Sequence, residues 1–192
     1  MEPKDEELIL EYQQGNTNAM EMLFVRHKQY VFNYAFRILA NRADAEDVTA
    51  DVFVRLFDKK YEFRPDTKFT TWLFTVVRNA CIDRIRKRKK VVSWWVKSDK
   101  GGELQEWVVE DSRNTVHEEL IKEEISQEIQ RAIHKLPLNQ KEALILREYH
   151  NLNYQQISEV MQCSVDNVKI LIFRARESLR KELSSFMQEG YL

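Results

Sequence analysis

Phe69-Thr70-Thr71-Trp72-Leu73 leads through Arg78-Asn79-Ala80 into a run in which six of the seven residues Arg84–Lys90 are Lys or Arg. Aromatic rings stack on unpaired bases and cations attract phosphates, so this order suits a protein that holds single-stranded nucleic acid. On a helical wheel over 72–87, Leu73, Phe74, Val77, Ala80, Cys81 and Ile85 gather on one side, which must face a core. Trp72, Thr75, Val76, Asn79, Asp83 and Arg86 gather on the other, and Arg78 lies at the border, suited to phosphate. Beside them stands the loop Thr67-Lys68-Phe69. An outward Trp72 is costly unless something covers it. Either it packs under the preceding loop or it stacks on flipped bases, each stack contributing roughly 1–3 kcal/mol.

A second reading surface follows about ninety residues later. Over Val168–Arg180, Val168, Ile172, Ala175 and Leu179 face inward, with Leu171 at the edge. Lys169, Ile170, Phe173, Arg174, Glu177 and Arg180 face outward. A helix of this kind fits the major groove, where cations meet phosphates or guanine edges and apolar side chains meet thymine methyls. The turn Gln162-Cys163-Ser164 precedes it, and helix, short turn, long basic helix describes a helix-turn-helix.

The elements that position these surfaces are helical throughout. Gly and Pro total seven in 192 residues, which favours long helices over turn-rich sheets. Glu6–Gln14 reads as a short helix ended by Gly15-Asn16, and Asn18 with Glu21 has the spacing of a capping box opening a helix to about Leu39. Asp44 begins a helix to about Phe57, striped inward by Val48, Val52, Phe53 and Leu56. Arg64-Pro65-Asp66-Thr67 is a loop, and Thr70 or Thr71 can cap the helix after it. Further on, Asn139 with Glu142 and Asn153 with Gln156 have capping-box spacing, and Ser164 can cap the last helix. The expected fold is all-α, with two helical domains joined by a flexible linker: residues 1–92, an acidic linker 93–126, and a helix-turn-helix domain 127–192. Few contacts are expected across that linker. Trp94, Trp95 and Trp107 fall within it, either docking on the first domain or meeting a partner.

Net charge is −1, but its distribution is uneven. Ser98–Glu128 holds ten acidic residues against three basic ones. Such asymmetry suggests a basic surface for nucleic acid and a separate role for the acidic segment. Cys81 and Cys163 are far apart in apolar patterns and read as buried free thiols. The four His have no metal-site spacing, and no nucleophile–base pair or glycine-rich phosphate loop is present. No enzymatic activity, cofactor or metal is expected. A start lacking a basic-then-apolar signal, and no apolar run of about 18 residues, fit a cytoplasmic protein without membrane insertion.

Taken in order, these blocks resemble the extracytoplasmic-function sigma factors of bacterial RNA polymerase, and the resemblance covers nearly the whole chain. Asp44-Ala45-Glu46-Asp47-Val48 with Asp51-Val52-Phe53 is similar to the helix that docks on the clamp coiled coil of core polymerase. The segment Phe69–Asn79 with its basic end is similar to the one that melts and holds the −10 element. Ile133–Pro137, Tyr154–Ser158 and Val168-Lys169 with Arg174-Ala175-Arg176 match the module that reads the −35 element.

The resemblance implies a set of residue roles. Thr67, Lys68, Phe69, Trp72, Thr75, Arg78, Asn79, Asp83 and Arg86 would meet the −10 element, with Asn79 separating the strands. Lys169, Ile170, Phe173, Arg174, Arg176 and Arg180 would meet the −35 element. Asp44, Glu46, Asp47, Asp51 and Arg55 would meet core polymerase. The implied partners are the polymerase clamp and flap, promoter DNA and an anti-sigma factor, with the acidic linker threading toward the RNA exit path. Three positions depart from the family pattern: Ala50 replaces a common Gln, Thr75 a frequent cation, and Ile170-Leu171 a usual Ser-Arg pair. A stand-alone DNA-binding regulator is the alternative. It would need the helix-turn-helix but has no use for the Trp72–Asn79 face.

Overall fold

A computed structural model describes residues 2–58, 63–64, 66–98 and 118–188, with side chains described except at 91–98, 118–126 and 185–188. Eight helices are found among the described residues, in the order α1 (Asp5–Gln13), α2 (Thr17–Leu39), α3 (Arg42–Phe57), α4 (Phe69–Ser98), α5 (Glu118–Lys135), α6 (Leu138–Glu148), α7 (Tyr154–Met161) and α8 (Val165–Gln188). The four N-terminal helices pack around Leu23, Val31, Tyr34, Val52, Leu73 and Val77. In the C-terminal set, α6 and α7 lean on α8 through Ile145, Leu146, Ile157, Val168 and Ile172. Burying one apolar stripe per helix accounts for both groups.

Local signals set several helix ends. Asn16 accepts from the Asn18 N–H at 3.2 Å and caps α2, so the start lies ahead of the expected Asn18–Glu21 box. Ala40 ends α2 with φ 52°. Asn41 then caps α3 by accepting from the Asp44 N–H at 2.8 Å. Asn153 and Gln156 form the expected reciprocal box at 2.9 Å each way, and Ser164 caps α8 through the Asn167 N–H at 3.2 Å. The Asn139–Glu142 box is absent. Pro137 stands at the N-cap of α6, and the Glu142 side chain points elsewhere.

The α4 N-terminus is held from a distance. Its first N–H, on Phe69, donates to Glu6 Oε1 of α1 at 3.0 Å, so neither Thr70 nor Thr71 is the cap. Nothing near residue 70 announces an acceptor contributed by α1.

Two expectations about the middle of the chain change. Helix α4 continues past residue 92 to Ser98, because no Gly or Pro interrupts it before Gly101. Helix α5 begins at Glu118, ahead of the periodicity visible from Ser126. Trp107 and the rest of 99–117 lie outside the described residues, as do the side chains of Trp94 and Trp95. The two groups of helices are not separate, since α7 packs on α4 and α6 and α5 pack on α2. One continuous buried cluster runs from Leu8 to Ala175.

Candidate nucleic-acid interface

The loop before α4 and the first turns of that helix build the first reading surface. Thr67 donates its N–H to Arg64 O at 3.0 Å, which tightens the turn and leaves Lys68 exposed. Phe69 is 1% exposed and belongs to the core. Its ring lies 6.1 Å from Phe63, 5.7 Å from Trp72 and 5.2 Å from His27. Phe69 is therefore a support for the loop, not a ring open to a base. Trp72 is half-buried, edge-on to Phe63 at 5.7 Å, which is the packing alternative of the two weighed for it. Thr75 returns its hydroxyl to Thr71 O at 2.9 Å.

Further along α4 the surface opens. Asn79, Asp83 and Arg86 are exposed, the last two 3.8 Å apart. Val76, placed outward by the wheel, is buried. The wheel treated that side as free, whereas helices of the second half cover part of it.

Arg78 shows the same effect most sharply. Its Nε donates to Glu142 Oε2 of α6 at 3.1 Å, across the boundary between the two groups of helices. Glu142 is wholly buried, and burial pushes its carboxyl above the ordinary value despite the guanidinium beside it. Nearby, burial pushes the Cys81 thiol beyond the usual thiol range.

The basic run after Asn79 divides in two. Arg84 Nε and Nη2 grip Asp44 at 2.8 and 2.6 Å, and Nη2 also reaches Asp47 at 2.8 Å. Arg88 approaches Asp44 at 3.9 Å. These acids hold the Arg84 proton more firmly than usual. Asp44 thus fastens α3 to α4 rather than standing free on the α3 surface. Glu46 pairs with Arg42 at 3.0 Å, Asp51 is exposed, and Arg55 is half-buried. Arg86, Lys87, Lys89 and Lys90 remain open for phosphates.

The second surface is α8. Its inward residues are as expected: Val168, Ile172 and Ala175 are buried and Leu179 is half-buried. Ile170 is 48% and Phe173 66% exposed, beside an exposed Arg174 that has no ion-pair partner among the described residues. Lys169 leans back to Asp166 at 2.9 Å and Arg180 to Glu177 at 3.4 Å, both exposed pairs that phosphate can displace. Arg176 points toward α6 and meets Glu148 at 2.6 Å, away from the Ile170–Phe173 face. Sequence reasoning did not single out Glu148, and it read Glu142 only as the capping partner of Asn139. Both lie in an amphipathic helix where an acid reads as ordinary surface.

A long helix turned out from a helix-turn-helix, together with a second helix presenting an amide and a basic tail, gives the molecule two surfaces suited to nucleic acid. The chain matches Sigma-70 region 2 over residues 23–91 and Sigma-70, region 4 over residues 126–179. It is 30% identical over 185 residues to the ECF RNA polymerase sigma factor SigW of Bacillus subtilis, covering 95% of this chain and 98% of that protein. The RNA polymerase sigma-H factor of Pseudomonas aeruginosa is 28% identical over 191 residues, 97% of each chain. In fold it is similar to the sigma factor RpoE of Bartonella quintana solved with the anti-sigma factor NepR, with TM-score 0.69, 21% identity and coverage of 85% and 96%. CnrH, solved with the cytosolic domain of CnrY, gives TM-score 0.69 at 23% identity, covering 94% and 97%.

The chain belongs to the sigma-70 family, and within it to the extracytoplasmic-function factors. It directs core RNA polymerase to promoters and serves in transcription initiation. No helix among the described residues is long and apolar enough to cross a membrane.

Proposed function

We propose that this factor divides promoter recognition between α4 and α8, contributes no catalytic group of its own, and works in the cytoplasm. Residues 1–92 would act as the polymerase- and −10-binding unit and 127–192 as the −35-binding unit. On α4, Asn79 is the strand-separating residue, Lys68 and Thr67 receive a flipped base, and Arg78, Asp83 and Arg86 line its path, with Phe69, Trp72 and Thr75 shaping the pocket from below. On α8, Ile170, Phe173 and Arg174 read bases while Lys169 and Arg180 meet phosphates; Arg176 orients the helix through Glu148.

Polymerase docking falls to Asp47, Asp51, Glu46 and Arg55 on α3, with Asp44 holding their helix in place. An anti-sigma factor holds the chain in reserve, a reading supported by the partners named for RpoE and CnrH.

The observation that carries this reading is the exposed apolar pair Ile170 and Phe173 beside Arg174, which has no ion-pair partner among the described residues, a composition that a solvated face does not need. The test is reconstitution of the purified chain with bacterial core polymerase, followed by run-off transcription from genomic fragments. Promoter-specific transcripts are the expected result. Failure to bind core, with tight duplex binding by the free chain, would mark a stand-alone regulator instead.

A further inference from the structure

The first turn of α1 carries Asp5, Glu6 and Glu7, which by sequence read as a solvated helix start. Two of them turn inward. Asp5 accepts from Arg26 through one oxygen and bonds His27 Nε2 at 2.8 Å through the other, while Arg26 also donates to Pro3 O at 3.2 Å. Glu6 Oε1 accepts the Phe69 N–H at 3.0 Å. These two side chains therefore act on α2 and α4 and not on their own helix. Both precede residues 23–91, the span that matches Sigma-70 region 2.

What they hold is the junction between the loop and α4. The backbone bonds of the loop stop on either side of Phe69: the Thr67 N–H goes to Arg64 O at 3.0 Å, and Lys68 O takes the Trp72 N–H at 3.1 Å. The Phe69 N–H heads the helix, where no intrahelical acceptor exists, and a carboxylate there is favoured by charge and by the helix dipole. Its ring is fixed as well. It lies between Phe63 at 6.1 Å and His27 at 5.2 Å, and the buried His27 is itself held by Asp5. Backbone and ring of one residue are thus tied to consecutive acids of α1. The residues just before it are the exposed Lys68 and the half-buried Thr67. Without such ties, ordering these side chains on a base would cost affinity.

We infer that Asp5 and Glu6 are positioning residues for the strand-binding loop, fixing where Thr67 and Lys68 stand to receive an unpaired base. The inference deepens the proposed function and rests on that loop receiving a base. Neither acid touches the strand. Both act through Phe69, Glu6 on its N–H and Asp5 on its ring by way of His27. Preorganisation of this kind shows in the step that captures the base and leaves earlier steps alone.

The test uses holoenzyme reconstituted from the full chain and core polymerase. Its promoter, recovered by run-off transcription, carries single abasic sites along the −10 nontemplate strand. Permanganate reactivity follows opening and filter binding follows the closed complex. Wild type should open about tenfold more slowly when the captured base is missing, the worth of one stack. Glu6→Ala should open the intact promoter about tenfold more slowly, the loss of one charge-assisted hydrogen bond, with closed-complex binding unchanged. Removing the captured base should then cost that variant almost nothing more. Glu6→Gln keeps an oxygen for the Phe69 N–H and should recover most of both the rate and the abasic penalty. Asp5→Asn, which leaves Glu6 in place, should slow opening in the same direction by less. Buried Leu8, Ile9 and Tyr12 still hold α1 in these variants, and circular dichroism verifies their helices. A wild-type opening rate in Glu6→Ala overturns the inference, as does slow opening that keeps the full abasic penalty, or a Gln variant as slow as the Ala one. If wild type itself is indifferent to every abasic site, the loop captures no base, and the reading beneath the inference falls instead.

Discussion

Helices α4 and α8 carry the same kinds of residue and are presented in opposite ways. On α8, Ile170, Phe173 and Arg174 stand exposed. On α4, only Asn79 and the basic tail are open; Phe69 is core, Trp72 and Thr75 are half-covered, and Arg78 is bound by Glu142. The helix proposed to read duplex is open as it stands, while the helix proposed to hold a single strand is partly enclosed. The difference matches the two substrates, because duplex DNA is always available and a separated strand exists only after melting begins.

The sharpest way to break this comparison is at Phe69. If its ring is support, Phe69→Ala should destabilise the N-terminal helices by about 3–5 kcal/mol in urea unfolding, the cost of emptying a buried aromatic site. Near-wild-type stability combined with lost −10 binding would return the ring to the reading face.

Next in size is a pH effect on the packing between the halves. Burial, with a smaller contribution from Arg37, lowers the His150 pKa to about 4 from an ordinary 6.5. The groups facing it are Arg37, Tyr30 and Tyr34 of α2 and Phe74 of α4. A depressed histidine pKa means the packed state accepts only the neutral ring. Its contribution is complete above pH 6.5 and is lost as the pH falls toward 4, by up to about 3 kcal/mol. Glu142, whose carboxyl is pushed up by burial, acts in the opposite sense at the acid end. His134, also lowered to about 4 and set beside Lys141, adds a loss of the same sign within the second half. His150→Phe should remove the His150 part of the pH dependence of thermal unfolding and leave that of His134.

How much of this was legible in the sequence depends on the range of each interaction. Asn153 and Gln156 bond each other three residues apart, and their box was visible from spacing alone. Asn139 and Glu142 have the same spacing and no box, because Arg78, 64 positions away, takes the carboxylate. The inward stripe of α8 was readable since one side of that helix faces solvent. For α4 the wheel put Val76 outward, because nothing in residues 72–87 reveals that helices from 130 onward pack there. The pairing of Asp44 with Arg84 was hidden for the same reason, since each reads alone as a surface charge.

Between the two helices, function should divide by step. Asn79→Ala is expected to slow promoter opening while leaving closed-complex binding near normal. Arg174→Ala should weaken initial binding by about 1–3 kcal/mol, the range for one side chain reading a base edge. Permanganate footprinting and filter binding separate the two steps. The opposite pattern would mean that the roles of α4 and α8 have been exchanged.

The finest distinction concerns Ile170, an aliphatic side chain that stands exposed on α8. An aliphatic side chain in the major groove has one favourable base partner, the thymine methyl, since every other edge there offers unsatisfied donors or acceptors. Removing that methyl by placing uracil at the facing −35 position deletes one buried carbon and leaves all hydrogen bonds in place. The expected loss is about 0.8 kcal/mol, close to fourfold in affinity. Ile170→Ala should lose a similar amount on thymine-containing DNA and should then be indifferent to the uracil exchange. If wild type is indifferent at every −35 thymine, Ile170 reads no methyl, and the preference of α8 must rest on Arg174 and Phe173 alone.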